Sequence, residues 1–357
     1  MKVCFFIDNI ANTGGTERVT SLIANCLISR NVEVSILSLW GNNISGFDLD
    51  PAIRLQSLNV NKNKFKYKIT STISGIRKFV KKHEFDYVIT VESILSFFTI
   101  PAITFLKTKN IVWEHFNFNT DLGLKVRRFS RKLSSRFAHT IVVLTERDRE
   151  LWQSNLKCSA VIKSILNPLS FPIQNNQLPT TKTVMSVGRL TFQKGFDLLI
   201  NAWKLVALDN ADWKLKIIGS GEDQEILKKL ILDNGMSDFI EMIPKTNKIE
   251  DFYKNSEILC LSSRFEGLPM VLLESQAFGL PVVSFDCETG PSEIIINGVN
   301  GLLCAPEDIE ALADGLNTLI GSRNLRESMS INAFKNADRF SIEHITDQWM
   351  NLLIGHV

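Results

Sequence analysis

Short apolar runs recur along the whole chain, and the stretches between them carry apolar residues at helical spacing. The runs predict strands at Lys2–Asp8, Val32–Leu39, Tyr87–Val91, Asn110–Trp113, Thr140–Leu144, Ala160–Leu166, Val184–Val187, Leu215–Ile218, Phe239–Ile243, Ile258–Leu261, Val282–Phe285 and Gly301–Leu303. After the first run, Val19, Ile23 and Leu27 mark one face of a helix. Because strands that are apolar throughout are buried on both faces, this alternation predicts an α/β protein with parallel sheets covered by helices.

The alternation breaks once, between residues 168 and 182, where three prolines and many polar residues indicate a linker. The 357 residues exceed one ordinary hydrophobic core. We therefore predict a Rossmann-like domain over residues 1–167, the linker over 168–182, a second Rossmann-like domain over 183–338 and a C-terminal stretch over 339–357. Residues 309–353 predict two or three helices. Doubly wound domains bind ligands at the carboxyl ends of their strands, so two of them facing each other would form a cleft.

The overall charge is small, but it is unevenly distributed. A net charge of +2 argues against a polyanion-binding chain, and no nucleic-acid partner is expected. Nine Lys or Arg and no acid lie between Arg54 and Lys82, and six more lie between Lys125 and Arg136. These runs are either solvated helix and loop faces or a surface that meets anionic lipid or a phosphate-bearing acceptor.

The cysteines and the apolar runs indicate in which cellular compartment the protein resides. Six scattered cysteines without a Cys-x-x-Cys pair, several of them inside apolar runs, predict buried free thiols in a reducing compartment. The first apolar run predicts a strand rather than a signal peptide, and no run reaches the roughly 18 residues of a membrane span. We expect a cytoplasmic protein whose basic first domain would make any contact with the inner face of the cytoplasmic membrane.

The strongest chemical signal is the segment RFEGLPMVLLESQAFG, which follows a predicted strand. Pro269 suits the first position of a short helix, and Gly279 suits the residue just past its end. Free N–H groups at the start of that helix, together with its dipole, would bind anions and hydroxyls. Glu266 lies in the turn and Glu274 in the helix, where each carboxylate could accept hydrogen bonds from a diol. Alternatively, Glu266 caps the helix and Glu274 occupies a solvated position.

Two further segments place cations and glycines after predicted strands. In SVGRLTFQKGF, Arg189 and Lys194 could neutralise a leaving diphosphate, unless they are ordinary surface cations. In DNIANTGGTERV, Gly14 and Gly15 would let the backbone approach a phosphate or sugar, with Thr16 as the helix cap, unless the glycines only form a turn. Their spacing is not Gly-x-Gly-x-x-Gly, which argues against a dinucleotide-dependent dehydrogenase.

Together these segments resemble glycosyltransferase family four, the retaining enzymes with the GT-B fold. The resemblance rests on the Glu, seven residues, Glu pattern of Glu266 and Glu274 and on the Gly-Arg-Leu…Lys-Gly motif around Arg189 and Lys194. It covers most of the chain and is strongest over residues 184–303. It implies two Rossmann-like domains facing across a cleft, with the acceptor mainly on the first and the donor mainly on the second. It also implies that the last helix packs back on the first domain.

The resemblance implies a role for each matching position. Glu266 would touch the hydroxyls of the donor sugar, Glu274 would hold the ribose, and Arg189 and Lys194 would bind the diphosphate. The backbone of the intervening turn would bind sugar and phosphate, which assigns Gly267, Leu268, Pro269, Met270 and Val271 to the site. The glycine loop of the first domain would face the donor. No residue is an obvious covalent nucleophile, so the departing phosphate would help to deprotonate the acceptor.

Several weaker candidates also follow from the resemblance. His115 follows a strand where relatives often have a histidine facing the transferred sugar, although Glu114 could be the functional acid instead. Lys245 matches a position that contacts the base, and Gly219 with Gly221 matches the loop beneath the nucleotide. The alternatives are a packed histidine, a surface lysine and an ordinary turn.

The implied reaction moves a hexose or N-acetylhexosamine from a nucleoside-diphosphate sugar, with UDP as the expected nucleotide, to a saccharide or lipid-linked saccharide. The product would be a bacterial surface polysaccharide such as lipopolysaccharide or capsule. No metal or other cofactor is expected: the pairs Asp286-Cys-Glu and Asp48-Leu-Asp resemble metal sites of another fold, and the histidines are dispersed. The alternatives are a nucleotide-sugar epimerase or hydrolase, a non-catalytic nucleotide-sugar-binding protein, and a nucleotide-dependent oxidoreductase.

Overall fold

Apolar strands form two parallel sheets, one in each of two units of the chain. The computed structural model describes residues 1–60, 68–174 and 177–355. The first unit comprises Met1–Pro168 and Ile342–Val357, and the second comprises Leu169–Ser341. The division after Pro168 falls at the start of the predicted linker, and the described linker residues group with the second unit. Residues 175 and 176 of that linker lie outside the described residues.

The first unit contains a seven-stranded sheet, and every strand pair in it is parallel. Its strands are β1 (Lys2–Ile7), β2 (Glu33–Ser38), β3 (Arg54–Ser57), β4 (Tyr87–Val91), β5 (Lys109–Trp113), β6 (Thr140–Val143) and β7 (Val161–Ser164). The spatial order is β3-β2-β1-β4-β5-β6-β7. Successive strands are therefore added on one side of β1 up to β3 and on its other side from β4 onward, and such a switch point is where α/β sheets bind ligands.

Helices cover this sheet, and one of them comes from the end of the chain. They are α1 (Gly15–Ser29), α2 (Ile69–His83), α3 (Ser96–Ile103), α4 (Lys125–Phe137), α5 (Glu146–Asn155) and α13 (Ile342–Ile354). Helix α13 packs against α1, and the Tyr87 hydroxyl donates to the carbonyl oxygen of Leu353 over 2.9 Å. The rings of Trp113 and Trp349 also meet edge to face, with centroids 4.9 Å apart. The last helix thus belongs to the first unit.

The second unit repeats the architecture with six parallel strands. These are β8 (Thr183–Val187), β9 (Lys214–Ile218), β10 (Ile240–Ile243), β11 (Ile258–Leu261), β12 (Val282–Phe285) and β13 (Gly301–Cys304), in the order β10-β9-β8-β11-β12-β13. Its helices are α6 (Phe196–Ala207), α7 (Gln224–Asp233), α8 (Ile249–Lys254), α9 (Met270–Ala277), α10 (Pro291–Ile294), α11 (Ile309–Gly321) and α12 (Arg323–Ala337). The switch point lies between β8 and β11.

The predicted strands are all present, with ends that agree within two residues. Strand β3 was not predicted, because it is a short edge strand with alternating exposure and a polar sequence, RLQS. The predicted helical tail is confirmed as α11, α12 and α13. All six cysteines are free, and burial raises the pKa of the Cys287 thiol to about 12 and that of Cys304 to about 11. Among the described helices, none is long and apolar enough to cross a membrane.

The basic run from Lys125 to Arg136 is not wholly a surface feature. Arg127 and Arg131 lie on the inner side of α4, with 4% and 3% of their side chains exposed, and pair with carboxylates. For these two residues the surface interpretation is wrong, because Glu92 and Glu114, which follow β4 and β5, pair with them inside the unit. In the other run, Lys62, Lys64 and Lys66 lie outside the described residues.

Candidate active site

The loop that follows β12 packs against the turn between β11 and α9. The Thr289 hydroxyl donates to the carbonyl oxygen of Glu266 over 2.6 Å. Gly290 has φ +104°, and a Cβ there would lie 2.6 Å from Pro269, so the close approach requires glycine. Pro269 is the extended residue before the helix, not its first residue as predicted, because α9 begins at Met270. Gly279 has φ +65° just past the helix end, as predicted.

The carboxylate of Glu266 meets a cation from the neighbouring loop across the switch point. Lys194 Nζ donates to Glu266 Oε1 over 2.6 Å, and the Ser263 hydroxyl donates to the same oxygen over 2.6 Å. Only 7% of the Glu266 side chain and 19% of the Lys194 side chain are exposed. The N-cap position of α9 is occupied by Pro269, three residues after Glu266. Two residues predicted from separate motifs therefore form one charged, partly desolvated pair.

The loop carrying the cations is fixed to the loop after β11 by a tight crossing. Gly195 has φ +60°, and a Cβ there would lie 2.1 Å from the carbonyl oxygen of Ser262. Arg264 reinforces the crossing through two hydrogen bonds to the Asp197 carboxylate, of 2.9 and 2.7 Å. Arg189 is exposed at the end of β8, and its guanidinium pairs with none of the described carboxylates. The loop after β8 thus carries one paired cation, Lys194, and one exposed cation, Arg189.

Glu274 is buried on α9, so the solvated alternative is wrong. Its residue exposure is 7%, and its Oε2 accepts a 2.7 Å hydrogen bond from the Tyr253 hydroxyl on α8. The Tyr253 ring is fully buried and stacks on Phe278, with centroids 5.1 Å apart and planes 9° from parallel. Tyr253 was not predicted from the sequence, because it belongs to no recognisable motif and only the fold brings it next to Glu274.

The three weaker candidates of the second unit, Gly219, Gly221 and Lys245, lie on adjoining loops. A Cβ on Gly219 would lie 1.9 Å from the carbonyl oxygen of Gly188, and one on Gly221 would lie 2.2 Å from that of Leu190. The backbone N–H of Lys245 donates to the Ser220 hydroxyl over 3.2 Å. The glycines are therefore required by close packing of the loops after β8 and β9. Together with the residues above, these loops occupy one edge of the second sheet.

In the first unit, the glycine loop leads from β1 into α1. Gly14 is the extended residue before the helix, which begins at Gly15, so Thr16 lies inside the helix and is not its cap as predicted. Asn12 donates to the Glu17 carboxylate over 3.2 Å and a Cβ on Gly14 would lie 2.6 Å from that carboxylate, so the turn is crowded on one side. The loop lies at the switch point of the first sheet.

The second feature of that edge is the loop after β5, which a buried carboxylate organises. Glu114 Oε1 accepts hydrogen bonds from the N–H groups of His115 and Phe116, over 3.0 and 3.2 Å. Arg131 lies 3.4 Å from its Oε2, and Arg127 lies 3.7 Å from its Oε1. Burial opposes ionisation, but the two arginines outweigh it and hold the pKa of Glu114 below its ordinary value. Because its side chain is fully buried, Glu114 positions the loop and is not available as the functional acid.

His115 and Glu92 are two polar groups of this edge whose pKa values are strongly altered. His115 packs on Trp113, with ring centroids 4.5 Å apart, and burial lowers its pKa to about 4, so its ring is neutral. Glu92 follows β4 with φ +74°, a conformation unusual for a residue with a Cβ. Burial raises its pKa to about 7 despite Arg127, which lies 3.2 Å away. Glu92 was not predicted from the sequence, because the residues that follow it, SILSFF, form no motif that would indicate a functional acid.

The site residues therefore fall into two groups, each at the carboxyl edge of its own sheet. Gly14, Gly15 and His115 belong to the first unit. The residues of the second unit are Arg189, Lys194, Gly219, Lys245, Glu266, Gly267, Leu268, Pro269, Met270, Val271 and Glu274. Within the described ranges, no three His, Cys, Asp or Glu side chains converge to hold a metal ion.

Comparison with known proteins identifies the family. Residues 13–169 match the family model described as Glycosyltransferase Family 4, and residues 171–336 match that described as Glycosyl transferases group 1. The chain is 37% identical over 354 residues to an uncharacterized glycosyltransferase of Haemophilus influenzae, covering 99% of each chain. It is 30% identical to the amylovoran biosynthesis glycosyltransferase AmsD of Erwinia amylovora, again over 99% of each chain.

A relative with a named acceptor and a solved structure complete the comparison. The chain is 28% identical to the Campylobacter jejuni α-1,4-N-acetyl-D-galactosaminyltransferase that acts on a diphospho-undecaprenol-linked saccharide, covering 99% of this chain and 98% of that one. The lipopolysaccharide outer core galactosyltransferase WaaB superposes with a TM-score of 0.80 at 22% identity over the whole of both chains. The chain thus has the GT-B fold and belongs to glycosyltransferase family 4.

Proposed function

We propose that this glycosyltransferase moves a hexose or N-acetylhexosamine from a nucleoside-diphosphate sugar to a saccharide or lipid-linked saccharide in the synthesis of a cell-surface polysaccharide. The relatives from Erwinia and Campylobacter support this class of product and acceptor, because their names give amylovoran synthesis and an undecaprenol-linked saccharide. UDP is the nucleotide we propose to test first. The proposed place of action is the cytoplasm, at the inner face of the membrane that holds the acceptor.

The observation that carries the proposal is the Lys194–Glu266 pair at the switch point of the second sheet. Lys194 has three N–H donors and Glu266 accepts one of them, so the ammonium can still donate to a phosphate oxygen. Glu266 would in turn accept a hydrogen bond from a hydroxyl of the transferred sugar. The backbone N–H groups of Gly267, Leu268, Met270 and Val271 precede or open α9, where a helix end favours anions.

The proposed reaction is a displacement on one face of the sugar, with retention of the anomeric configuration. The bond from the anomeric carbon to the diphosphate oxygen breaks, and the acceptor oxygen bonds to the same carbon from the same side. The acceptor proton passes to the departing phosphate, and Arg189 and Lys194 stabilise the negative charge that develops there. Removing one such donor typically costs about 3–4 kcal/mol in the transition state. We propose that no metal ion takes part, so activity should persist in the presence of a chelator.

Glu274 would bind the ribose of the donor. Its Oε2 accepts a hydrogen bond from Tyr253, and on donor binding the carboxylate would also accept hydrogen bonds from the ribose hydroxyls. The hydrogen bond to Tyr253 and the stacking of that ring on Phe278 fix the carboxylate before the donor arrives, which reduces the entropy lost on binding.

The test is a panel of nucleotide sugars, with binding measured by calorimetry and turnover by nucleotide release with lipid-linked and soluble acceptors. Arg189→Ala should lower the turnover rate by about 100-fold or more, and Glu274→Ala should weaken nucleotide binding. Matched controls are Lys229→Ala and Glu241→Ala, which alter exposed residues of α7 and β10 and should leave both quantities unchanged. Full activity and affinity in the first two variants would refute the site. Donor turnover without an acceptor would favour the epimerase or hydrolase alternative.

A further inference from the structure

Helix α4 of the first unit has its polar and apolar sides exchanged relative to an ordinary surface helix. Its buried residues are all polar: Arg127, Ser130, Arg131, Ser134 and Ser135. The Ser134 hydroxyl donates to Ser96 on α3 over 2.9 Å, and both arginines pair with the buried carboxylate of Glu114. A surface helix normally turns such residues outward and buries its apolar ones.

The outward side of α4 carries apolar residues instead. Val126, Phe129 and Phe137 are 39%, 53% and 62% exposed. With the half-buried Leu133, they have the spacing i, i+3, i+7, i+11, which forms one row along the helix. The turn that leads into the helix continues this row, because Leu122 and Leu124 are 52% and 44% exposed. Such an apolar strip on a protein surface indicates a contact with a further molecule or phase.

A row of cations runs directly beside the apolar row. Lys125, Arg128, Lys132 and Arg136 repeat the same spacing one residue earlier, and all four are exposed. No Asp or Glu occurs between Lys125 and Phe137. The acid that reaches this face is Asp121, which pairs with Arg128. The outward side of α4 is therefore apolar along one half and positive along the other.

We infer that residues 122–137 form a docking surface for a bilayer that contains anionic phospholipid, with α4 lying in the plane of the interface. Phe129 and Phe137 would enter the boundary between head groups and acyl chains, and the cation row would meet lipid phosphates. The charge argues for lipid rather than a second copy of the chain. In a symmetric dimer the same patch would meet itself, and four cations would oppose four cations.

The experiment uses the full chain, without donor or acceptor, and measures co-flotation with two kinds of vesicle. One kind mixes phosphatidylglycerol with phosphatidylcholine, and the other is phosphatidylcholine alone. The wild type should bind the anionic vesicles and detach as salt is raised, because the ion atmosphere screens the cations. The double variant Lys132→Gln with Arg136→Gln should bind roughly 25-fold more weakly, at about fivefold for each cation near the surface. Phe129→Ser with Phe137→Ser should weaken binding at least about tenfold.

The matched control is Leu232→Ser with Lys229→Gln, which removes an exposed apolar residue and a cation from α7 of the second unit and should bind like the wild type. Circular dichroism checks that each variant is folded. Equal binding by wild type and both α4 variants would overturn the inference, as would equal binding to neutral and anionic vesicles. A wild-type dimer that Phe129→Ser dissociates, without vesicle binding, would instead identify a second copy as the occupant. Because no sugar nucleotide is present, failure here leaves the proposed transferase activity to be judged separately.

Discussion

Replacing Tyr253 by Phe tests whether Glu274 is held in place for the donor. The substitution removes one hydroxyl, which donates to Glu274 Oε2 over 2.7 Å, and keeps the ring that stacks on Phe278. The ring is fully buried, so water does not readily replace the lost donor. The change therefore acts on the carboxylate with little effect on packing.

The magnitude follows from the kind of hydrogen bond that is lost. A hydrogen bond to a charged group contributes about 1.5–3 kcal/mol. If roughly half of that contribution serves to fix Glu274 for the ribose, donor binding weakens by about 1 kcal/mol, or about fivefold in Kd. The rest should appear as a loss in the free energy of unfolding. We expect the turnover rate at saturating donor to change little, because the ribose is remote from the reacting carbon.

The assay is calorimetry of nucleotide and nucleotide-sugar binding, alongside urea unfolding. Tyr87→Phe is the matched control, because its hydroxyl donates over 2.9 Å to the Leu353 carbonyl oxygen in the first unit. Both variants should lose stability, but only Tyr253→Phe should lose affinity. In a Glu274→Gln background, Tyr253→Phe should have little further effect on binding, since the two residues act as one unit. Equal loss of affinity in both tyrosine variants would refute the reasoning.

Three other outcomes follow from the structure. The pKa of Glu92 is raised to about 7 in the folded chain, so this group ionises first in the unfolded chain as pH rises from about 4.5. Its contribution should therefore lower the free energy of unfolding as pH rises to about 7. Glu92→Gln should reduce that fall by about 2–3 kcal/mol, as measured by urea unfolding across this pH range. Gly195→Ala should destabilise far more than Gly235→Ala, since both have positive φ but only the first would clash with backbone, and equal melting shifts would contradict this. Lys194→Ala should cost about 3–5 kcal/mol of stability, and adding Glu266→Ala should restore part of it; strict additivity in the double-mutant cycle would argue against the pair.

The centres of the sheets could be predicted because their strands are buried on both faces and so are continuously apolar. Strand β2 shows this, with a single exposed residue at its start. Strand β3 escaped the same reasoning, because an edge strand needs no apolar run and RLQS carries none. The pattern of residues thus predicts the centre of a parallel sheet better than its edges.

The site of the second unit was predictable to the extent that its residues lie in short motifs after strands. Glu266 and Lys194 each came from such a motif, yet their contact depends on β8 and β11 being neighbours, which the sequence pattern does not state. Tyr253 and Thr289 support the site through single hydrogen bonds from other elements. Contacts of this kind leave no periodic pattern in the sequence, so only the three-dimensional structure reveals them.

The run of basic residues on α4 did not predict which of its arginines are buried. Arg127 and Arg131 look like their exposed neighbours in sequence, but Glu92 and Glu114, which follow two different strands, pair with them on the inner side. Burying two arginines is costly, and replacing such pairs by apolar residues is often neutral or stabilising. An α4 with its phenylalanines inside and its arginines outside would be the simpler solution for a water-facing helix. The actual arrangement gains an organised loop at His115 on the inner side and an apolar, cationic strip on the outer side. On its inner side one helix thus fixes the loop at His115, and on its outer side it would meet the membrane, as we propose.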